Sequence, residues 1–281
     1  MNGAAPLRRI WLCADDYGLS PGVNRAIRDL IERGRLNATS VMMVGPAIGR
    51  DEAGALQASA ATSRRCAIGL HATLTAPFRP LTMHFQPLDG GMFLSFPKLL
   101  RAGLLRRLDP EIIHAELMVQ LKAFSELFGR APDFVDGHQH AQLFPVVRDA
   151  FLAAVKQAAP NAWVRQSGRD LPLTRRLGTP KALFLDFLSA QFRRRAQRAR
   201  IAFNPGFAGA YDFARQVDFG ALMRQFLDGI PQDGLIMCHP GLVDETLLSL
   251  DPLTVQRERE YAFLGGEPFT ALLAANKVTL D

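Results

Sequence analysis

Apolar and polar residues alternate along the chain in blocks that predict strands and helices in turn. Residues 111–128 place apolar side chains at the spacing of one helical face, and Gly129 directly after them is a typical helix stop. Ser20 and Pro21 suit the N-cap and first position of a second helix, over residues 20–32. Short runs typical of strands occupy residues 9–14, 37–44, 67–74, 134–136, 162–165 and 234–238. Strands that alternate with helices in this way predict a mostly parallel sheet.

Polar side chains stand at the ends of several of these runs, namely Asp15, His71, His138 and His239. In a (β/α) barrel the carboxyl ends of the strands meet at one rim, where catalytic groups gather. An open doubly wound sheet would also place a ligand beyond its strand ends. We therefore predict an α/β fold over residues 1–281, a single domain whose parallel sheet is either a (β/α) barrel, regular or irregular, or an open doubly wound sheet.

Composition excludes several other classes of protein. Hydrophobic residues make up 48% and charged residues 21% of the chain, which is close to the average for globular proteins. No run of 18 apolar residues predicts a transmembrane helix, and the apolar stretch near the N-terminus is too short for a signal peptide. Three cysteines are an odd number without paired spacing, so no disulfide framework is expected. We predict a cytoplasmic protein.

The formal net charge of +6 comes largely from one segment, residues 174–200, which holds eight basic residues and one acidic residue. Within it, residues 181–200 combine an apolar stretch with an arginine cluster. One interpretation is a peripheral helix that contacts anionic lipid at the inner membrane face. The other, which we favour, is a helix that packs its apolar face on the barrel. Neither a Gly-rich phosphate loop nor a dinucleotide fingerprint occurs, and no nucleic-acid partner is predicted.

Asp15 and Asp16 are poor strand residues that would repel each other unless a cation or a proton intervenes. A metal ion resolves this conflict, because one carboxylate can be a ligand while the other acts as a general base toward water. The alternative is a turn or helix cap that uses both side chains.

Histidines complete the candidate site. The run Asp136–Gly137–His138–Gln139–His140 offers two imidazoles beside a carboxylate, a set of ligands that suits zinc or another divalent ion. His71 alone is weaker support, since a solitary histidine often serves packing. His239 follows the apolar run GLIMC and precedes Pro240–Gly241, a position suited to proton donation. The pattern predicts a metal site at the carboxyl ends of the strands.

Four ordered motifs carry a resemblance to a known family. They are ADDYGLSPGVN at residues 14–24, GLH at 69–71, ELFGRAPDFVDGHQH at 126–140 and IMCHPG at 236–241. With them the sequence resembles the YdjC-like carbohydrate deacetylases, which include chitooligosaccharide deacetylases and hopanoid-associated deacetylases. The resemblance implies a (β/α)-barrel-like fold and removal of the acetyl group from an N-acetylglucosamine-type sugar, as an oligosaccharide or a glycolipid.

The resemblance also implies roles for individual residues. Asp16, His71 and His138 would hold a divalent ion, zinc or magnesium. Asp15 would be the general base, by analogy with the Asp-Asp pair of NodB-like polysaccharide deacetylases, and His239 would protonate the leaving amine.

Three further residues are predicted to bind substrate: His140, Arg165 and, within the first motif, Asn24. A surface salt bridge is the alternative for Arg165. The chain departs from the family at Gln142, where relatives often have histidine, and this puts in doubt any substrate contact made there.

Two rival functions use the same residues. A metal-dependent phosphoesterase could combine these ligands with arginines that clamp phosphate. A non-catalytic carbohydrate-binding protein could keep the fold, although binding alone requires neither a base nor an acid. The sugar, the metal and the formation of a homo-oligomer are left open.

Overall fold

A computed structural model describes residues 7–169, 180–213 and 217–281 of the chain. Within these residues, seven parallel strands lie in the spatial order β6-β5-β4-β3-β2-β8-β7, and β1 pairs with β9 separately. The strands are β1 (Arg8–Arg9), β2 (Trp11–Tyr17), β3 (Ala38–Val41), β4 (Ala67–Ala72), β5 (Phe134–Gly137), β6 (Trp163–Val164), β7 (Phe207–Ala208), β8 (Leu235–Cys238) and β9 (Val278–Thr279).

The two edges of this sheet meet. Val164 of β6 forms a parallel bridge with Phe203, a few residues before β7, and its N–H donates to the carbonyl of Ala202 at 2.8 Å. The sheet therefore curls toward closure, and the predicted (β/α)-barrel-like fold is confirmed.

Helices follow the strands and cover the outside of the sheet. They are α1 (Pro21–Glu32), α2 (Arg50–Thr62), α3 (Phe96–Leu104), α4 (Pro110–Phe128), α5 (Val147–Ala158), α6 (Pro180–Ala199), α7 (Phe219–Leu227), α8 (Glu245–Leu250), α9 (Val255–Gly265) and α10 (Glu267–Ala275). The predicted helix ends are confirmed at two places. Ser20 Oγ accepts the N–H of Val23 at the start of α1, and Gly129 ends α4 with a φ of 68°.

The apolar core has two parts, one on each side of the sheet. The larger part packs between the strands and the outer helices. The smaller part fills the barrel interior with one or two side chains from each strand of the seven-stranded sheet: Cys13, Ala38, Ala67, Phe134, Trp163, Phe207, Leu235 and Met237. Phe134 and Trp163 stack there with ring centroids 4.5 Å apart. These side chains form an apolar floor.

Side chains alternate between the two faces of a strand, so the next inward position lies two residues further on. Two residues beyond Cys13, Phe134 and Met237 stand Asp15, Asp136 and His239. The strand period therefore places these polar groups directly above the apolar floor, at the carboxyl rim of the barrel.

The segment 174–200 lies partly outside the described residues, at positions 174–179. Within α6, Leu188 and Phe192 are buried, which agrees with the packing interpretation, whereas Leu183 and Phe187 are exposed. Because α6 connects parallel strands, its apolar beginning lies near the rim and its arginines near the opposite end. No helix in the described part of the chain is long and apolar enough to cross a membrane. Peripheral membrane contact stays a prediction.

Gly69 of β4 tests the packing of the barrel floor, because a Cβ added there would lie 2.6 Å from ring carbons of Phe134. We expect Gly69→Ala to lower the free energy of unfolding by about 1–3 kcal/mol, since overpacking forces neighbours off their preferred positions. Urea unfolding followed by circular dichroism measures this change.

The matched control is Gly54→Ala within α2, where no described atom lies within 4 Å of the added Cβ. That substitution should stabilise the chain by about 0.5–1 kcal/mol, because alanine is the better helix former. Equal unfolding midpoints for Gly69→Ala and the unsubstituted chain would contradict the described floor.

Candidate metal centre and catalytic site

Strand β2 carries both carboxylates of the predicted Asp pair. The sequence predicts that the strand ends at residue 14, but β2 continues to Tyr17. Its pairing with β3 shifts register between Ala14 and Tyr17, and Asp16 has a φ of 71°. In a regular strand, neighbouring side chains point to opposite faces of the sheet. A register shift of this kind can turn one of the two side chains toward the other face. Asp15 and Asp16 therefore both reach the rim.

Asp16, His71 and His138 converge at one point. The Oδ1 atom of Asp16 lies 3.2 Å from His71 Nε2 and 3.2 Å from His138 Nδ1. One ligand atom from each residue lies within 4.8 Å of the others. Two imidazole nitrogens and one carboxylate oxygen match the protein ligands of catalytic zinc sites, which keep a further position open. The residues present thus fit a divalent metal ion.

A carboxylate behind His71 sets the orientation of its ring. Asp136 Oδ1 lies 2.6 Å from His71 Nδ1, which leaves Nε2 directed at Asp16. Such carboxylate–histidine pairs commonly orient metal ligands. Burial lowers the pKa of His71, but the carboxylates of Asp136 and Asp16 outweigh this and raise it to about 10. A metal ion must therefore displace a proton from His71.

Arg165 lies between two carboxylates. Its guanidinium nitrogens are 2.6 and 2.7 Å from the oxygens of Asp15 and 3.0 Å from Asp136 Oδ2. Cys13, Asp15 and Asp136 offer a second group of potential metal ligands, but the guanidinium already supplies the positive charge there. Burial raises the pKa of Asp15, and the charge of Arg165 more than offsets this and lowers it to about 2. Asp15 is therefore ionised.

The structure gives the terminal nitrogens of Arg165 partners within the fold. The side chain is fully buried, and these nitrogens are paired with Asp15 and Asp136. Arg165 thus holds the predicted base in place, and substrate binding by Arg165 stays a prediction.

His239 faces Asp15 from the end of β8. Its Nε2 atom lies 3.9 Å from Asp15 Oδ2, and its backbone N–H donates to Glu260 Oε2 at 2.6 Å. The ring of Phe213 meets the imidazole edge-on, with centroids 5.1 Å apart. Burial lowers the pKa of His239, although Asp16 and Asp15 oppose the effect. The imidazole is therefore uncharged near neutral pH.

His140 lies beside a cavity. Its Nδ1 atom is 3.1 Å from Ser167 Oγ, and its ring meets that of Phe207 edge-on. Ser167 and Phe207 also line a cavity of about 600 Å³. Burial lowers the pKa of His140 to about 3, so this imidazole is neutral. Substrate binding by His140 stays a prediction.

Asn24 contacts its own loop rather than an open site. The side chain is fully buried, its Oδ1 accepts the N–H of Gly18 at 2.6 Å, and its Nδ2 donates to the carbonyl of Ala47 at 2.8 Å. Asn24 thus shapes the loop after β2, and substrate binding by Asn24 stays a prediction.

Gln142 also supports a loop. It is buried, its Nε2 donates to the carbonyl of Arg165, and a Cβ at Gly137 would lie 2.5 Å from its Oε1.

The sequence reasoning missed two charged residues on α9. Arg257 Nη2 lies 2.6 Å from Asp16 Oδ2, and Glu260 accepts the backbone N–H of His239. Burial raises the pKa of Glu260 to about 7, although a hydrogen bond from Tyr211 opposes this. Arg257 and Glu260 are three residues apart, so a helix places both side chains on one face. This spacing is the signal in the sequence that could have identified the two residues as neighbours of one site.

Comparisons with known proteins agree with this architecture. The chain is 20% identical to a proposed cellobiose-phosphate cleavage protein from Enterococcus faecalis, whose crystal structure matches with a TM-score of 0.72 over 98% of this chain and 97% of that one. A lactam utilization protein from Thermus thermophilus matches with a TM-score of 0.51 at 16% identity, over 97% of this chain and 98% of that one. At these identities the matches show the fold alone.

Two sequence relatives are more similar to this chain in sequence identity than these two solved structures are. Chitooligosaccharide deacetylase from Escherichia fergusonii is 30% identical over 249 residues, which are 83% of this chain and 82% of that protein. The protein of the same name from Yersinia pestis is 30% identical over 240 residues, 84% of this chain and 83% of that protein. The model of the family described as YdjC-like protein matches residues 9–275. The chain belongs to the YdjC-like protein family.

Proposed function

We propose that this chain is a metal-dependent carbohydrate N-deacetylase. It would remove the acetyl group from an N-acetylglucosamine-type sugar, in an oligosaccharide or a glycolipid, and release acetate. The observation that carries the proposal is the placement of Asp15 and His239, 3.9 Å apart, beside the convergent Asp16, His71 and His138. The relatives named chitooligosaccharide deacetylase support the same reaction and sugar class.

Asp16, His71 and His138 would hold the metal ion. When bound, a divalent ion polarises a carbonyl group and lowers the pKa of water at the site. Two imidazole ligands favour zinc over magnesium, which prefers oxygen ligands.

Asp15 and His239 would move the proton. Asp15 is ionised and held in one orientation by Arg165, so it can accept a proton from water as the water oxygen attacks the acetyl carbon. His239 Nε2 lies 3.9 Å from Asp15 Oδ2, which is longer than a hydrogen bond, so the proton would pass to the imidazole through one water molecule. His239 passes it to the amide nitrogen as the carbon–nitrogen bond breaks, because an unprotonated amine is a very poor leaving group. The products are acetate and a free amino sugar.

The phosphoesterase alternative has less support from the geometry. It requires arginines that face a phosphate group. Arg165 and Arg257, which contact the site in the described residues, are both buried and paired with carboxylates. A non-catalytic carbohydrate-binding protein would need neither the ionised base nor the neighbouring imidazole.

Acetate release tests the reaction. The metal-stripped chain is incubated with a panel of N-acetylated oligosaccharides and glycolipids, before and after zinc is added back. We expect acetate and an equal amount of free amine after zinc addition, from at least one member of the panel. Release of inorganic phosphate from sugar phosphates, with no acetate from the panel, would favour the phosphoesterase.

His239→Ala tests the proton donor. We expect kcat to fall by about 10²–10⁴-fold, the usual contribution of a positioned acid or base. Bound zinc, measured by atomic absorption, should stay unchanged because His239 is not among the three convergent ligands. His84→Ala is the matched control, since His84 is exposed. Normal turnover in the His239 variant would refute this assignment.

The pH dependence tests the protonation state of the same imidazole. Burial lowers the pKa of His239, so its neutral form persists below the ordinary value of about 6.5. At saturating zinc, kcat/KM should stay level as the pH falls through that value and decline only in more acidic solution. A rate that increases as the pH falls through the same range would show that His239 must carry a proton beforehand.

A further inference from the structure

Helix α9 places a buried arginine against the carboxylate of Asp16. Arg257 Nη2 lies 2.6 Å from Asp16 Oδ2 and 2.5 Å from Asp251 Oδ2. Its Nε donates to the carbonyl of Leu253 at 3.0 Å. Two contacts through Nη2 and one through Nε therefore hold the guanidinium beside Asp16.

The two oxygens of Asp16 consequently have different neighbours. Oδ1 faces the histidine nitrogens of His71 and His138, each at 3.2 Å, while Oδ2 faces Arg257. A carboxylate can bind a metal ion through one oxygen or through both. Because Oδ2 is held in a charged hydrogen bond, only Oδ1 is free to face the position where the three ligands converge.

Packing alone does not account for an arginine at position 257. The side chain is 1% exposed, and within the described chain its Nη1 has no hydrogen-bond partner. Burying a guanidinium with an unpaired N–H costs free energy, and an apolar side chain of similar volume is often at least as stable. Asp15 has a comparable buried partner in Arg165. Each carboxylate of the pair thus has its own arginine.

We propose that Arg257 is a positioning residue that makes Asp16 a one-oxygen metal ligand and thereby sets the affinity of the site for a divalent ion. The inference rests on the metal site proposed above. Arg257 acts through Asp16, so its effect should be seen in metal binding itself, without any substrate.

Calorimetric titration of Zn²⁺ into the metal-stripped full chain tests the proposal. We expect Arg257→Gln to bind zinc about 10–100-fold more weakly than the unsubstituted chain, the usual effect of losing a group that orients a ligand. Arg259→Gln is the matched control, because Arg259 is exposed on the same helix. It should bind zinc with unchanged affinity. Circular dichroism of each variant establishes that it is folded.

Arg257→Lys separates charge from geometry. Lysine keeps the positive charge but has no counterpart of the Nε–H that donates to the carbonyl of Leu253, so it cannot hold that charge in the same fixed orientation beside Asp16. We expect an affinity between those of Arg257→Gln and the unsubstituted chain. If Arg257→Gln does not fold, the zinc affinity of Arg257→Lys is the test of the proposal. An affinity of Arg257→Lys equal to that of the unsubstituted chain would then overturn it.

The outcomes distinguish the two proposals. If the unsubstituted chain does not bind zinc, the metal site itself is wrong. If it binds zinc, and folded Arg257→Gln binds with the same or higher affinity, the metal site stands and the role of Arg257 is overturned. If the affinity falls in Arg257→Gln and in Arg259→Gln alike, the effect is not specific to Asp16 and the role of Arg257 is also overturned.

Discussion

The structure depends on the pairing of buried carboxylates with buried guanidinium groups at the mouth of the barrel. Asp15, Asp16 and Asp136 are almost completely inaccessible, and an isolated buried charge would be prohibitively unfavourable. Arg165 spans Asp15 and Asp136, while Arg257 holds Asp16. The charges of Arg165 and Arg257 lower the pKa of Asp15 and of Asp16 and keep these two carboxylates ionised inside the protein, as the proposed metal binding and proton transfer require.

The rest of the fold positions this arrangement. Alternation of side chains along the strands fills the interior with Phe134 and Met237. The same alternation places Asp136 and His239, two residues further along each strand, at the carboxyl rim of the barrel. The irregularity in β2 adds the second carboxylate, Asp16, at the same rim. The charged side chains of the rim thus lie directly against the apolar floor. Phe78 lies edge-on to His138, with ring centroids 5.9 Å apart, and so covers part of the site from the loop after β4.

Much of this could be predicted from the sequence, because the signals are local. Ser20–Pro21 and Gly129 mark helix ends by their own backbone chemistry, and apolar runs followed by Asp15, His71 and His239 mark strands that end in functional residues. The four ordered motifs identified the family. The convergence of Asp16, His71 and His138 also follows, since parallel strands bring their carboxyl ends together.

The contacts that the sequence does not reveal are those with partners elsewhere in the fold. Arg165 pairs with Asp15, and Asn24 donates to the carbonyl of Ala47, although neither contact has a local signal in the sequence. Arg257 lies 241 residues from Asp16, and no local pattern indicates that the two meet. The local irregularity of β2 likewise depends on its pairing with β3.

In the proposed function, hydrolysis of an N-acetyl group depends on a metal ion held by Asp16, His71 and His138. Bound zinc and acetate release from a chitooligosaccharide should therefore be measured together, on the same samples of the unsubstituted chain and of His138→Ala. We expect the unsubstituted chain to retain zinc and release acetate, and His138→Ala to lose both together. Full acetate release by a His138→Ala sample that retains no zinc would show that hydrolysis does not depend on this metal site.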